Sequence, residues 1–284
     1  GVQTCALPIW AIFDLLIKLE KQAKRAGGQV TAIIGNHDAM MIYGDLRYVT
    51  PEEYQSFATS KSARMREAQW EYHVEELKQA GKEPDAAYRA KWEAARPLGW
   101  FEHRLAFQPG GKLHAWIAAH DAVARIGDTL FVHAGIAPKY AGRTMEDLNA
   151  TVRSELKDLS KVEGGLAADP DGPLWYRGLA AGDEQELGPH VDALLAQFGV
   201  RRIVIGHTPT GGAVTPRFTG KVLNIDVGLG RAYGSRLACL VIENGRPYVL
   251  PRGRRLELPD GSPGSLERYL EQAMQLEPEA QTRE

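Results

Sequence analysis

A chain of 284 residues with 44% hydrophobic and 25% charged side chains is long enough to bury a sizeable core, as one large α/β domain or two smaller ones. A formal net charge of -2 offers no basic field for nucleic acid, the apolar content is too high for a disordered chain, and the longest apolar runs are far too short to span a bilayer. Two cysteines, Cys5 and Cys239, build neither a disulfide framework nor a thiolate metal cluster, and they leave the compartment open.

Residues 1–10, GVQTCALPIW, do not join naturally to the segment after them and read as a non-native head. Ala11 to Ala26 sets Ile12, Leu15, Leu16 and Leu19 on one face and Lys18, Lys21 and Arg25 on another, the pattern of an amphipathic helix closed by Gly27-Gly28. Gln29 to Ile34 is then a short β-branched strand that stops at Gly35 and delivers Asn36, His37 and Asp38. Met40, Met41 and Ile42 continue a short helix as core filling. Arg47 suits two geometries equally, a substrate phosphate or a neighbouring carboxylate.

Pro51 to Arg96 is rich in Glu, Lys, Arg and Ala, with aromatic residues at Tyr54, Phe57, Trp70, Tyr72, Tyr88 and Trp92. That composition predicts helices, read as an insertion over 51–112 that serves either as scaffolding or as a substrate-selecting wall. His73, His103, His114 and His120 lack a strand-end setting and are given no chemistry. A helix and a short strand from Ala115 to Ile126 lead through a Gly127-Asp128 hairpin turn into a second β-branched run, Thr129 to Gly135, with His133 at its end. Arg143 to Leu159 reads as a helix, and Pro173-Leu174-Trp175-Tyr176-Arg177-Gly178 comes after a glycine-rich loop.

Gln185 to Phe198 is helical and feeds a third β-branched run, Arg201 to Pro209, which ends in Gly206-His207. The runs VLNIDVGLG, RLACLVIENG and RPYVLPRG suit the second sheet of a sandwich. Asp226 in the first of them is read as a partner for backbone or for a ligand histidine. Residues 251–284 form a polar tail with one helix, Ser265 to Gln275, and a disordered end. Open α/β sheets bind ligands beyond the carboxyl ends of their strands, so the three runs predict that Asn36, His133 and His207 converge.

Gly35-Asn36-His37-Asp38, His133-Ala134-Gly135 and Gly206-His207-Thr208-Pro209 resemble, in that order, the third, fourth and fifth motifs of the calcineurin-like metallophosphoesterases. Gly44-Asp45-Leu46-Arg47-Tyr48-Val49 resembles the Shewanella-like branch of the phosphoprotein phosphatases within that superfamily. The resemblance covers about residues 11–250 and implies a two-sheet sandwich flanked by helices, α-β-β-α, with its N-terminal strands missing. The family's first two motifs, Asp-x-His and Gly-Asp-x-x-Asp-Arg-Gly, should precede residue 30, and neither is present. The natural start is therefore expected upstream, and location is left open.

The resemblance further implies a two-metal hydrolysis of phosphate monoesters on proteins, at Ser/Thr or Tyr. Asn36, His133 and His207 are the expected ligands of the second metal, and oxygen plus imidazole donors suit Mn, Fe or Zn. Two divalent metals belong to the intact family site and at most one to this chain. His37 is the expected general acid, with Asp38, in place of the family's more frequent Glu, orienting it. Arg177, and Arg47 in one of its two readings, would meet the substrate phosphate. The expected partner is a phosphorylated protein or small phosphoester, without nucleic acid or membrane. An inactive fragment lacking the first-metal ligands, and a dinucleotide or small phosphodiester hydrolase, remain the alternatives.

Overall fold

A computed structural model describes residues 9–230 and 233–276; the expectations for residues 1–8 and for disorder at 277–284 lie outside the described residues. Among the described residues seven helices precede the first strand: α1 (Ile9–Arg25), α2 (Asn36–Tyr43), α3 (Pro51–Phe57), α4 (Ser62–Gln79), α5 (Ala86–Ala94), α6 (Trp100–Phe107) and α7 (Lys112–Ile117). A hairpin comes next, β1 (Val123–Ile126) and β2 (Thr129–Val132), then α8 (Met145–Lys157), α9 (Gly178–Ala181) and α10 (Glu184–Phe198). The chain continues through β3 (Arg202–Ile205), β4 (Thr215–Arg217), β5 (Val222–Asn224), β6 (Leu240–Glu243), β7 (Arg246–Val249), β8 (Leu256–Glu257) and α11 (Ser265–Gln275). The described residues fall into an α/β unit, 31–39 with 117–230 and 233–276, and a helical unit, 9–30 with 40–116.

In the α/β unit the strand order is β1-β2-β3-β5-β4, with β2–β3 and β3–β5 parallel and the outer pairs antiparallel. Ile203, Val204 and Ile205 are buried, as the centre of a parallel sheet requires. Arg202 tolerates the same burial because its Nη2 donates to Gly245 O at 2.9 Å and its Nη1 to Thr129 Oγ1 at 3.3 Å. β6-β7-β8 form a separate antiparallel sheet. Val249 of that sheet shares a core with Val214, Val227, Tyr269 and Ala273. The two-sheet α/β class is as the sequence indicates.

Three expectations are corrected. The run VLNIDVGLG does not join the second sheet: its β5 pairs with β3 and β4 in the first, because apolar alternation records burial but not which neighbour a strand takes. Gln29 to Ile34 forms no ladder among the described residues; it holds one parallel bridge, Ile33 to Asp121, with Ile34 N donating to Asp121 O at 2.9 Å. Helix α1 begins at Ile9, and its buried residues are Ile9 and Phe13, whereas Leu15 and Leu19 are exposed. Aromatic contacts set that rotation: Phe13 meets Phe107 and Trp116 edge-on at 5.7 and 5.5 Å.

Buried polar groups fix both units. Asn149 on α8 accepts at Oδ1 from Ala122 N and Val123 N, at 3.0 and 2.9 Å, and donates from Nδ2 to Val123 O at 2.8 Å. It thereby holds the entrance of β1, next to the Asp121 that carries the Ile33 bridge. In the helical unit His103 is fully buried among Tyr54, Phe57 and Phe107, with Glu53 Oε1 3.7 Å away, beyond hydrogen-bond range. Burial holds its imidazole below the ordinary pKa, with the Glu53 carboxylate pulling the other way. No helix of the described residues is long and apolar enough to cross a membrane.

Asn149→Leu strands two buried N–H groups and a carbonyl, and should lower stability by about 3 kcal/mol in urea titrations; a loss under about 1 kcal/mol would contradict the assignment. Below the ordinary histidine pKa of about 6.5, the unfolded chain takes up a proton at His103 that the folded chain refuses, so stability should fall as pH drops through that value. Urea midpoints followed by helical circular dichroism at pH 7.5 and 5 should lie further apart in the wild type than in His103→Phe, whose ring suits the aromatic surroundings. An equal separation in both proteins would assign the pH dependence elsewhere.

Candidate metal centre

Parallel pairing brings the ends of β2 and β3 side by side, and Gly206 N donates to His133 O at 2.8 Å just beyond them. His207 then takes φ 65°, a left-handed backbone that a non-glycine residue holds only under the constraint of its surroundings. Asn36 opens α2 immediately after Gly35. A Cβ on Gly35 would lie 3.0 Å from His133 Cε1 and 3.1 Å from its Nδ1, so glycine here is what lets the imidazole approach the chain.

The three predicted ligands meet. His133 Nε2 lies 2.8 Å from Asn36 Oδ1 and 3.2 Å from His207 Nδ1, and His207 Nδ1 lies 3.2 Å from Asn36 Oδ1. Asn36 is buried, and burial, followed by neighbouring positive charge including Arg177, depresses both histidines, His133 well below the usual value and His207 to about 4. Both imidazoles are therefore neutral at pH 7, each with one N–H.

No placement of those protons makes hydrogen bonds of all three contacts. The amide oxygen only accepts; if both facing nitrogens carry hydrogen both can donate to its two lone pairs, but the two N–H groups then stand side by side, and if either lacks hydrogen, that nitrogen opposes the amide oxygen lone pair to lone pair. A divalent cation resolves all three contacts at once, because donors bound at about 2.0–2.2 Å around one ion stand about 3 Å from each other. The donor set fits such an ion: one amide oxygen and two neutral imidazoles. Among the described residues no group of three or more His, Cys, Asp or Glu gathers in this way. The amide ligand places this triangle outside that pattern.

The other candidates divide. Asp38 turns back so that Oδ2 accepts from Gly35 N at 2.8 Å, the third-residue half of a capping box that fixes the start of α2. Burial raises its pKa and the Gly35 N–H opposes the rise. His37 is the second residue of α2, and its charge is among the influences that depress His133 and His207. Arg177 caps α9 and donates from Nη1 to His207 O at 3.2 Å and to Thr208 Oγ1 at 3.0 Å, so it borders the triangle. Arg47, in the helical unit, forks onto Asp45 with Nε–Oδ1 at 2.9 Å and Nη2–Oδ2 at 2.5 Å, the carboxylate option of its two readings. Asp226 Oδ1 accepts from Gly228 N at 3.2 Å, the backbone role read for it.

Trp175 went unassigned in the sequence. Its ring stands edge-on to His207, centroids 5.9 Å apart and planes at 80°, while its Nε1 donates to Ala167 O at 2.9 Å. The tryptophan thus walls one side of the His207 imidazole. Its position two residues before Arg177 was the available signal.

No family profile matches the sequence. An uncharacterised protein of Schizosaccharomyces pombe is 28% identical over 238 residues, covering 81% of this chain and 60% of the relative. Shewanella-like protein phosphatase 2 of Arabidopsis thaliana is 26% identical over 241 residues, covering 78% and 58%. The chain thus spans about three fifths of the length of these relatives. Among solved structures, a cold-active protein-tyrosine phosphatase of a psychrophilic Shewanella species superposes with a TM-score of 0.60 at 25% identity, over 87% of this chain and 63% of that one. With three motif residues meeting beyond the ends of β2 and β3 and this set of relatives, the chain is similar to the Shewanella-like protein phosphatases.

Proposed function

We propose that this chain supplies one cation-binding half of a metal-dependent phosphatase that hydrolyses phosphate monoesters on proteins. The observation that carries the reading is the proton-incompatible triangle of Asn36 Oδ1, His133 Nε2 and His207 Nδ1. The substrate class is supported by the names of the relatives, one a protein phosphatase and one a protein-tyrosine phosphatase. Phosphotyrosine is therefore the first substrate to try, with phosphoserine and phosphothreonine peptides beside it. Neither the inactive-fragment nor the phosphodiesterase alternative is favoured by the named relatives.

Asn36, His133 and His207 would hold the ion, and Mn, Fe and Zn all accept such donors. When bound, the ion supplies Lewis acidity toward a phosphoryl oxygen. The two-metal chemistry of the superfamily also needs an aspartate, a histidine and a bridging aspartate, so these three residues account for one ion. His37, next to Asn36 on the first turn of α2, is the group proposed to give a proton to the leaving-group oxygen. Asp38 serves that step indirectly, by holding Gly35 and with it the start of the helix. Arg177 brings positive charge to the rim of the triangle for the phosphoryl oxygens, whereas Arg47 would have to release Asp45 to do so.

His133→Ala and His207→Ala should each abolish retention of Mn or Zn, read as metal per chain by elemental analysis after loading and desalting. Undiminished metal in both variants would refute the assignment. His37→Ala should keep its metal and lower turnover of p-nitrophenyl phosphate and of phosphotyrosyl peptide by about a hundredfold or more. Metal content unchanged with full turnover would remove His37 from the proton transfer, while loss of metal would make it a ligand instead.

A further inference from the structure

The helical unit contains a cavity of about 550 Å³, within the range of small-molecule sites, that the phosphatase reading does not use. Its walls include Trp92, Trp100, His73, Glu76 and the guanidinium groups of Arg96 and Arg104. Trp92 is buried with the His73 ring stacked on it, whereas Trp100 is half-buried and offers apolar surface. Two arginines against one glutamate make the charged lining predominantly cationic.

Arg96 is the unusual member. Its Cζ lies 4.8 Å from the Trp92 ring centroid and 5.5 Å from that of Trp100, so two indoles hold the guanidinium in place. Among the described residues its side chain meets no carboxylate and no hydrogen-bond acceptor, in contrast to Arg89 on the same stretch, which bridges Glu93 and Glu67. A guanidinium carries five N–H donors in a planar fork that matches an oxyanion bidentately. Here the fork is half-buried, fixed by aromatic contact and unspent on the protein.

The other charged groups and the histidine of the wall are at least partly committed. Glu76 faces His73 at 3.7 Å, and His73 is stacked between Tyr88 and Trp92 with its Nε2 3.0 Å from Tyr88 Oη. Arg104 spends its Nη1 on Met41 O at 2.5 Å and its Nη2 on Ile42 O at 3.4 Å, the carbonyls at the end of α2. Arg96 thus keeps its whole fork for an incoming anion, Arg104 only the donors not spent on those carbonyls, and the half-buried Trp100 is the surface on which that anion's apolar body would lie.

We propose that this cavity is a binding site for a small aromatic anion, whose oxyanion pairs with the Arg96 fork while its ring packs against Trp100. Carboxylate and phosphate ester share the required chemistry. The site is independent of the Asn36, His133 and His207 triangle, and its test needs no turnover.

Tryptophan fluorescence of the full chain, titrated with phthalate, phenyl phosphate and inorganic phosphate, tests the site directly. At least one aromatic anion should give a saturable change, about tenfold tighter than inorganic phosphate, and phthalate against phenyl phosphate separates carboxylate from phosphate ester. Arg96→Gln should weaken that midpoint about tenfold or more at unchanged helical circular dichroism. Arg96→Lys, which keeps the charge and loses the fork, should fall between, and it serves as the second variant if the first does not fold. No saturable response to either aromatic anion up to about 10 mM, or equal midpoints in wild type and folded variants, would overturn the proposal. Inorganic phosphate binding as tightly as phenyl phosphate would also overturn it, since the aromatic walls would then contribute nothing.

Discussion

Three lone-pair atoms held within 3.2 Å of each other, with protons for at most two of the contacts, are the constraint on which the α/β unit depends. In a protein interior such a triangle is unfavourable unless something positive occupies it. Much of the neighbouring structure maintains it. The parallel register of β2 and β3 sets His133 beside Gly206, the left-handed backbone at His207 turns its ring inward, and the bare Cα of Gly35 leaves room for the His133 ring. Burial then keeps both imidazoles neutral, the protonation state that metal binding would require.

Support for the triangle is uneven. His133 and His207 come just after strands inside a sheet, whereas Asn36 comes after a segment joined by the single Ile33 to Asp121 bridge. That segment depends on local devices instead. Asn149 satisfies the backbone at Ala122 and Val123, Arg153 pairs with the Asp121 carboxylate, and Asp38 holds Gly35 from within α2. A cation bound to Asn36, His133 and His207 would add a tie between that segment and the sheet.

The convergence was legible in the sequence because each of three short β-branched runs ends within three residues of both a glycine and an Asn or His, and the ends of parallel strands, here β2 and β3, lie along one edge. Helices α8, α10 and α11 were legible from periodicity, with ends near those read from the residues. What failed was whatever depends on a neighbour. Gln29 to Ile34 has the composition of a strand, yet a ladder also needs a partner, and β5 carries no mark saying that β3 rather than β6 is its neighbour. The apolar stripe of α1 misled in the same way, since aromatic contacts to Phe107 and Trp116 decide which side is covered. In the helical unit, Arg47 left phosphate and carboxylate open because arginine suits both, its fork on Asp45 was not readable from composition, and the stacking of Arg96 on two indoles has no sequence signature beyond an aromatic-rich helical stretch.

X-ray absorption at the metal edge of the zinc- or manganese-loaded protein tests the central claim most directly. The account predicts a first shell of nitrogen and oxygen at about 2.0–2.2 Å with the outer-shell scattering of two imidazoles. A shell of oxygen alone, without imidazole scattering, would mean that Asn36, His133 and His207 share a neighbourhood and hold no ion, and would contradict it.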